Sequence, residues 1–331
     1  MSDQSESETD RFRRMVAPEL LSGLDTLPSF KWNSEVLAQV RAIDFRQMPL
    51  PELSAPQASV HREERFIPGP GGAPDIRVLI YRPLNSPQAP RPAFFHVHGG
   101  GYITGAPEIN EVYNRSFSCE QGCVVVSVDY RLAPETRYPG SLEDCYSALE
   151  WLYRQADELS VDRSRIAIGG ESSGGGHAAA LAILARDRGE VPICFQLLDS
   201  PMLDDRTGSV SEPHPYCGKF VWTPESNRFG WRALLGVEPG GPDVPVGAVP
   251  ARTLDLSALP PTCITIGALD LFLEETLEYT RRLNRAGVPT ELHVIPGAYH
   301  GFPMAGTDAP QVQQWLRLRS NALARAFSGR R

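Results

Sequence analysis

The segment Gly170-Glu171-Ser172-Ser173-Gly174 sets a serine in the pattern G-x-S-x-G, between the apolar run RIAIGG and the alanine-rich run GGHAAALAILA. A strand–turn–helix passage of that kind exposes the central serine on a sharp turn, with glycines where a side chain would strike neighbouring backbone. Alone, the same pattern describes an ordinary Gly/Ser-rich turn. A serine hydroxyl becomes a useful nucleophile only when a base accepts its proton. Four histidines follow Ser172. His177 lies five residues along the helix that Ser172 begins, points elsewhere and reads as packing. His214, between Pro213 and Pro215, reads as solvent-facing, and His293, inside ELHVIPG, as a satisfied strand residue. His300, in the loop PGAYHGFP beyond the last β-rich run, is the expected base. An acid must then fix its tautomer. Asp270 closes the run TCITIGALD and is the first choice; Asp199, in LLDSP, is the runner-up. Glu274 is weaker, because the first turn of a helix favours a carboxylate anyway.

A second feature asks for an explanation. Three glycines, Gly99 to Gly101, follow His98 in HVHGGGY, although glycine loses the most conformational entropy on folding. They could form a tight turn, a phosphate cradle, or a set of N–H groups aimed at an anion. No G-x-G-x-x-G is present and no G-K-[ST] follows, which disfavours the phosphate cradle. Acylation of a serine passes through an oxyanion, and each preorganised N–H donor stabilises it by about 3 kcal/mol. HGGG is an oxyanion-holding motif and is rarer by chance than G-x-S-x-G, so it is the stronger signal. In this reading Gly99 serves the turn, Gly100 and Gly101 the anion, and His98 anchors the loop.

These residues need a scaffold that brings strand ends together. Seven short β-rich runs (DIRVLIYRP, AFFHVHG, VVVSVDYR, RIAIGGES, ICFQLLDSP, TCITIGALD, ELHVIPG) alternate with stretches of helical period over 142–159, 174–189 and 273–287. Such alternation predicts a mostly parallel, doubly wound sheet, whose ligands lie beyond the carboxyl ends of the strands. Ser172, Asp270 and His300 all fall at such ends. Residues 1 to about 12 read as a disordered tail. MVAPELLSGLDTL and WNSEVLAQVRAIDF carry helical spacing before the Pro-rich MPLPELSAP. The long, aromatic stretch at about 203–250 breaks the rhythm and reads as an insertion packed over something.

Of the 331 residues, 41% are hydrophobic and 22% charged, the balance of a chain that buries a sizeable core. A net charge of −8 with no basic run argues against nucleic acid. The six cysteines lack paired metal-site spacing; Cys119 and Cys123, which could share a helix face, read as small buried hydrophobes. No metal or cofactor is expected. The acidic N-terminus is unlike a signal peptide, and no run approaches a membrane span. A soluble, cytoplasmic protein is the expectation.

HVHGGGY, VVSVDYRLAPETRYPGSLEDCYSALEWL, RIAIGGESSGG, ALDLFLEE and YHGF together resemble the hormone-sensitive-lipase-like group of α/β-hydrolases, the bacterial family IV carboxylesterases, over roughly residues 75 to 305. The resemblance implies an α/β-hydrolase fold: a mostly parallel eight-stranded sheet, helices on both faces, and a helical cap. It implies Ser172 as nucleophile, Asp270 as acid and His300 as base, in the chain order of that fold. It also implies an oxyanion hole of the Gly100, Gly101 and Ser173 N–H groups. It divides the chain into an N-terminal tail and cap segment, 1–50, and a catalytic domain, 51–331, with a cap insertion at about 203–250. Phe220, Trp222, Phe229 and Trp231 become pocket candidates, with plain cap core as the alternative for each, and Tyr102 joins them without an assigned role. The chain departs from the family at Glu171, usually Asp or Thr, at Ser173, usually Ala, and at DLFLEE, usually DPLRDE, where Glu274 replaces the second acid. A short-chain ester is the implied substrate, with an amide, formanilide or lactone as the alternative bond. Non-catalytic receptors on this fold lack the triad histidine, whereas His300 is present. A monomer or homodimer is expected, the final strand being a possible open edge.

Overall fold

A charged hairpin, Val60–Ile67 (β1) and Ile76–Pro83 (β2), opens the sheet in the computed structural model, which describes residues 8–27, 30–47, 52–84, 90–212, 214–306 and 308–329. The remaining strands are Arg91–Val97 (β3), Val124–Asp129 (β4), Val161–Glu171 (β5), Phe195–Asp199 (β6), Thr262–Gly267 (β7) and Thr290–Ile295 (β8). Among the described residues the sheet has eight strands in the order β1-β2-β4-β3-β5-β6-β7-β8. The β1/β2 and β2/β4 pairs are antiparallel. From β4 through β3 to β8 every pair is parallel.

The central strands are apolar on both faces because both faces are covered. Side chains alternate along β3: Phe94 packs with Phe117, Leu323 and Phe327 in one cluster. Phe95 and Val97 join Leu149, Leu152 and Ala179 in another. Helices Glu111–Gln121 and Pro310–Phe327 therefore cover one face, and helices Gly140–Arg154 and Ser173–Arg188 the other. Burying one such phenylalanine stabilises the fold by roughly 1.5–3 kcal/mol.

Several expectations are corrected. β1 corresponds to none of the seven apolar runs. It is an edge strand in which only Val60 and Ile67 are buried, so its sequence, VHREERFI, carries no strand period. The helices over 111–121 and 310–327 were likewise not anticipated. Residues 1–7 of the supposed tail lie outside the described residues, but Glu8–Arg13 is helical. In the N-terminal segment the helical spacing becomes Leu21–Thr26 and Ser34–Arg41, the latter capped by the Asn33 side chain, which accepts from Val36 N at 2.9 Å. The boundary at about residue 50 falls among residues 48–51, outside those described. Between β6 and β7 the described residues of the irregular stretch form one α-helix, Pro224–Leu235, and a 3-10 turn, Pro250–Arg252, and the base is closed where Ala251 N donates to Leu203 O at 3.0 Å.

Candidate active site

β5 ends at Glu171, and Ser172 forms the turn into helix Ser173–Arg188. Its φ of 56° and ψ of −121° lie outside the regions that an L-residue prefers. Such a conformation costs about 1–3 kcal/mol and persists only where the surroundings over-determine it. The surroundings are close. A Cβ on Gly170 would stand 2.2 Å from Val97 O, and one on Gly174 2.1 Å from the same atom. Backbone bonds fix both sides of the serine: Ser172 N donates to Asp199 O at 2.9 Å, and Met202 N donates to Ser172 O at 3.0 Å.

The loops after β5, β7 and β8 converge on this turn. Ser172 Oγ lies 3.0 Å from His300 Nε2, and His300 Nδ1 lies 2.9 Å from Asp270 Oδ2. A carboxylate only accepts, so Nδ1 carries the proton there and Nε2 offers a lone pair to the hydroxyl. Asp270 is fully buried, and its other oxygen accepts from Phe272 N at 3.0 Å. Phe272 meets the His300 ring edge-on at 5.1 Å.

The other acids stand elsewhere. Asp199, the runner-up, accepts from Thr265 Oγ1 and from Trp315 Nε1 at 3.0 Å, and is ion-paired with Arg319, whose Nε lies 2.6 Å from its Oδ2. Glu274 is exposed on the first turn of helix Leu273–Arg285. Its neighbour Glu275 is the buried one, accepting from Leu203 N at 2.7 Å. Nor do the remaining histidines approach the serine. His177 is buried between Tyr102 and Tyr130, where burial, and secondarily His98, push its pKa down to about 3. His214 accepts from Tyr216 N at 3.2 Å, and His293 Nε2 pairs with Glu291 Oε1 at 2.6 Å. Pro213 lies outside the described residues.

The glycine loop leaves β3 and runs against the serine turn. A Cβ on Gly99 would fall 2.8 Å from Glu171 O and 3.5 Å from Ser172 Cβ. Gly100 has a φ of 128°, and its carbonyl is drawn inward by Ile103 N and Thr104 N at 3.1 and 3.0 Å. Gly101 has a φ of 63°, and a Cβ there would strike Trp222 Cη2 at 2.2 Å. Ser173 opens its helix, so its N–H has no partner within the helix. His98 anchors the loop: Nδ1 donates to Gly99 O at 2.8 Å, the ring stacks on Tyr130 at 4.3 Å, and Tyr130 OH donates to His98 O at 2.9 Å. Burial lowers the pKa of His98, which favours the neutral ring.

The aromatic candidates divide. Trp222 touches the glycine loop and has its ring 6.3 Å from that of His300. Phe229 stacks at 6.3 Å on Trp32, which itself stands 6.4 Å from Trp222. Tyr102 and Trp231 are fully buried against one another at 5.1 Å, and Tyr102 OH donates to Met202 O at 3.0 Å. Those two hold the glycine loop against helix Pro224–Leu235 instead of facing an open cleft. Phe220 lies apart from them, 6.3 Å from Tyr299. Sequence reasoning missed Trp32, which has no motif around it. It also missed the side chains behind the turn: Glu171 bonds to His96 Nε2 at 2.9 Å and to Arg319 Nη2 at 2.5 Å. The sole signal for these was Glu171 itself, a departure from the family's usual residue.

Residues 94–304 match the family described as the alpha/beta hydrolase fold. The chain is 32% identical to esterase LipI of Mycobacterium tuberculosis over 294 residues, 87% of this chain and 88% of that protein. It is 34% identical to carboxylesterase NlhH of the same organism over 294 residues, with the same shares covered. Among solved structures, a bacterial heroin esterase superposes with a TM-score of 0.84 at 34% identity, covering 95% of this chain and 98% of that one.

Proposed function

Because the chain belongs to the hormone-sensitive-lipase-like group of α/β-hydrolases, we propose that it is a serine carboxylesterase acting on short-chain acyl esters through an acyl-enzyme. The observation that carries the reading is the continuous bonding of Ser172 Oγ to His300 and of His300 to Asp270, at 3.0 and 2.9 Å. In the first half-reaction Ser172 Oγ attacks the ester carbonyl while its proton passes to His300 Nε2. Asp270 steadies the imidazolium that forms. The carbonyl oxygen becomes an oxyanion, received by the N–H groups of Gly100, Gly101 and Ser173. When the tetrahedral intermediate collapses, His300 returns the proton to the departing alcohol. Water then repeats the sequence on the acyl-serine, with His300 as base, and releases the acid. Every role falls to a side chain or backbone N–H, so turnover is expected to survive a chelator.

The preference for short acyl chains rests on Trp222, buried to 7% exposure beside the glycine loop, with Trp32 and Phe229 behind it. The N-terminal segment and the insertion at about 203–250 act as the cap in this reading. The protein is assigned to the cytoplasm, as a monomer or as a homodimer joined at an open sheet edge. Among the described residues no helix is long and apolar enough to cross a membrane.

The deciding experiment combines labelling and turnover. A fluorophosphonate should add once, at Ser172, and not at all to Ser172→Ala. Asp270→Asn and His300→Ala should keep a cooperative melt and lower kcat by about 10³–10⁴. p-Nitrophenyl esters from C2 to C12, with matched anilides, should be cleaved fastest at the short end, and the anilides slowly. Absence of the adduct sinks the serine mechanism. Faster anilide cleavage moves the reading to an amidase.

A further inference from the structure

We propose that Arg319 is a positioning residue for the nucleophile: it reaches from the C-terminal helix to the carboxylates of Glu171 and Asp199 and thereby holds the Ser172 turn in its catalytic shape. The proposal rests on the esterase reading, since it assigns Ser172 the reacting hydroxyl. Arg319 is 1% exposed, although it belongs to a helix with one wet face. Its Nη2 donates to Glu171 Oε1 at 2.5 Å, and its Nε lies 2.6 Å from Asp199 Oδ2. Trp315 lies 4.0 Å and Phe117 4.7 Å from the guanidinium carbon, so aromatic faces fix the plane in which the fork can bond.

The two carboxylates are not incidental neighbours. Glu171 and Asp199 are register partners, each the last residue of its strand, β5 and β6. Glu171 precedes Ser172 in the chain, and Asp199 accepts the Ser172 N–H through its backbone oxygen at 2.9 Å. One arginine therefore ties down the residue before the serine and the residue that receives the serine's amide. His96 completes the frame: its Nε2 meets Glu171 Oε2 at 2.9 Å, and its Nδ1 meets Ser127 Oγ at 2.8 Å. His96 belongs to β3, the strand that leads into the glycine loop. The same carboxylate thus links the nucleophile turn to the oxyanion loop. A turn held off its preferred backbone angles relaxes when its neighbours loosen, and a shift of about 1 Å at a reacting atom is enough to slow chemistry about 100-fold.

Glu171→Gln keeps the shape of the side chain and removes its charge, while Arg319→Lys keeps a charge and removes the planar fork. In both, kcat on p-nitrophenyl acetate and the rate of fluorophosphonate addition to Ser172 should fall together, by about 10- to 100-fold, with KM within about twofold. Glu171→Asp should recover more of both rates than Glu171→Gln. A purely structural role would lower the melting temperature and leave both rates, so wild-type kcat and labelling in folded variants overturn the proposal. Should either variant fail to give a cooperative melt, Glu171→Gln/Arg319→Met removes both charges at once and is read in the same way. A wild-type protein that neither turns over nor labels overturns the esterase reading and this role with it. A wild type that labels, beside folded variants that label equally fast, overturns the positioning role alone.

Discussion

At the residue scale, the residues of the proposed chemistry were legible wherever it demands a residue type at a strand end. Ser172, Asp270 and His300 stand after β5, β7 and β8, and the choice between Asp270 and Asp199 was open because both end an apolar run: Asp199 is the last residue of β6, and Asp270 lies just beyond β7. Geometry separates them: Asp270 bonds to His300, while Asp199 is committed to Thr265, Trp315 and Arg319. Arg319 was illegible, because a buried arginine and a solvated one leave the same mark on a helical pattern. Trp222 was legible as an aromatic in an odd insertion, but not as the ring that meets Gly101. From that contact comes a prediction about substrate size. Trp222→Ala should open space beside Ser172, raising kcat/KM for p-nitrophenyl octanoate relative to the acetate by about tenfold. An unchanged octanoate-to-acetate ratio would show that this ring does not bound the acyl site.

At the scale of elements, apolar runs disclosed the strands from β2 to β8, the half-buried edge strand β8 included, and overlooked the charged β1. β3 and β7 are buried from end to end and announced themselves. β1 exposes most of its length and did not. The insertion is fixed at its stem by groups that no pattern reveals. Glu275 accepts from Leu203 N and Asp204 N at 2.7 and 3.3 Å, and the buried Asp205 pairs with Arg252 Nε at 2.7 Å while accepting from Gly240 N at 2.5 Å. Burial raises the Glu275 carboxyl well above its ordinary 4.5, and Asp204 adds to the rise, against the opposing bonds from the Thr207 side chain and Leu203 N. A carboxyl with a raised folded pKa stabilises fully below its unfolded pKa, and that contribution is lost as pH rises through the folded value. Above that value the fold holds a buried charge. Glu275→Gln keeps the acceptor for Leu203 N and cannot ionise. Its melting temperature should therefore exceed that of the wild type at about pH 8.5 by more than at about pH 5. An equal difference at both pH values would mean that Glu275 is as ionised in the folded chain as in the unfolded one across that range, so that burial does not raise its carboxyl.

At the scale of the whole molecule, both ends of the described chain close around the site. The C-terminal helix supports the serine turn from behind through Arg319, and the N-terminal segment crosses in front. Ala17 N donates to Gly297 O and Tyr299 OH to Leu20 O, each at 3.0 Å, so the segment is fastened to the loop that carries His300. Farther along, Trp32 stands against Trp222 and Phe229 of the insertion. Arg41 then bonds to Ile103 O at 2.8 Å, and to Ala133 O, at the foot of the glycine loop. The sequence disclosed helices here without disclosing what they touch, because helical spacing records one apolar face and not its destination. A segment tied to the His300 loop, the glycine loop and the Trp222 wall should, on the proposed mechanism, matter more to substrate retention than to the bond-breaking step. Removing residues 1–46 should therefore raise KM for p-nitrophenyl butyrate by about tenfold, while kcat changes by less than about threefold. Trp32→Ala, which leaves the segment in place, should shift KM in the same direction by a smaller factor. If the truncated protein loses kcat and keeps KM, the segment serves the triad's alignment and not the acyl site. If neither constant moves in either variant, its contacts with the site carry no catalytic weight.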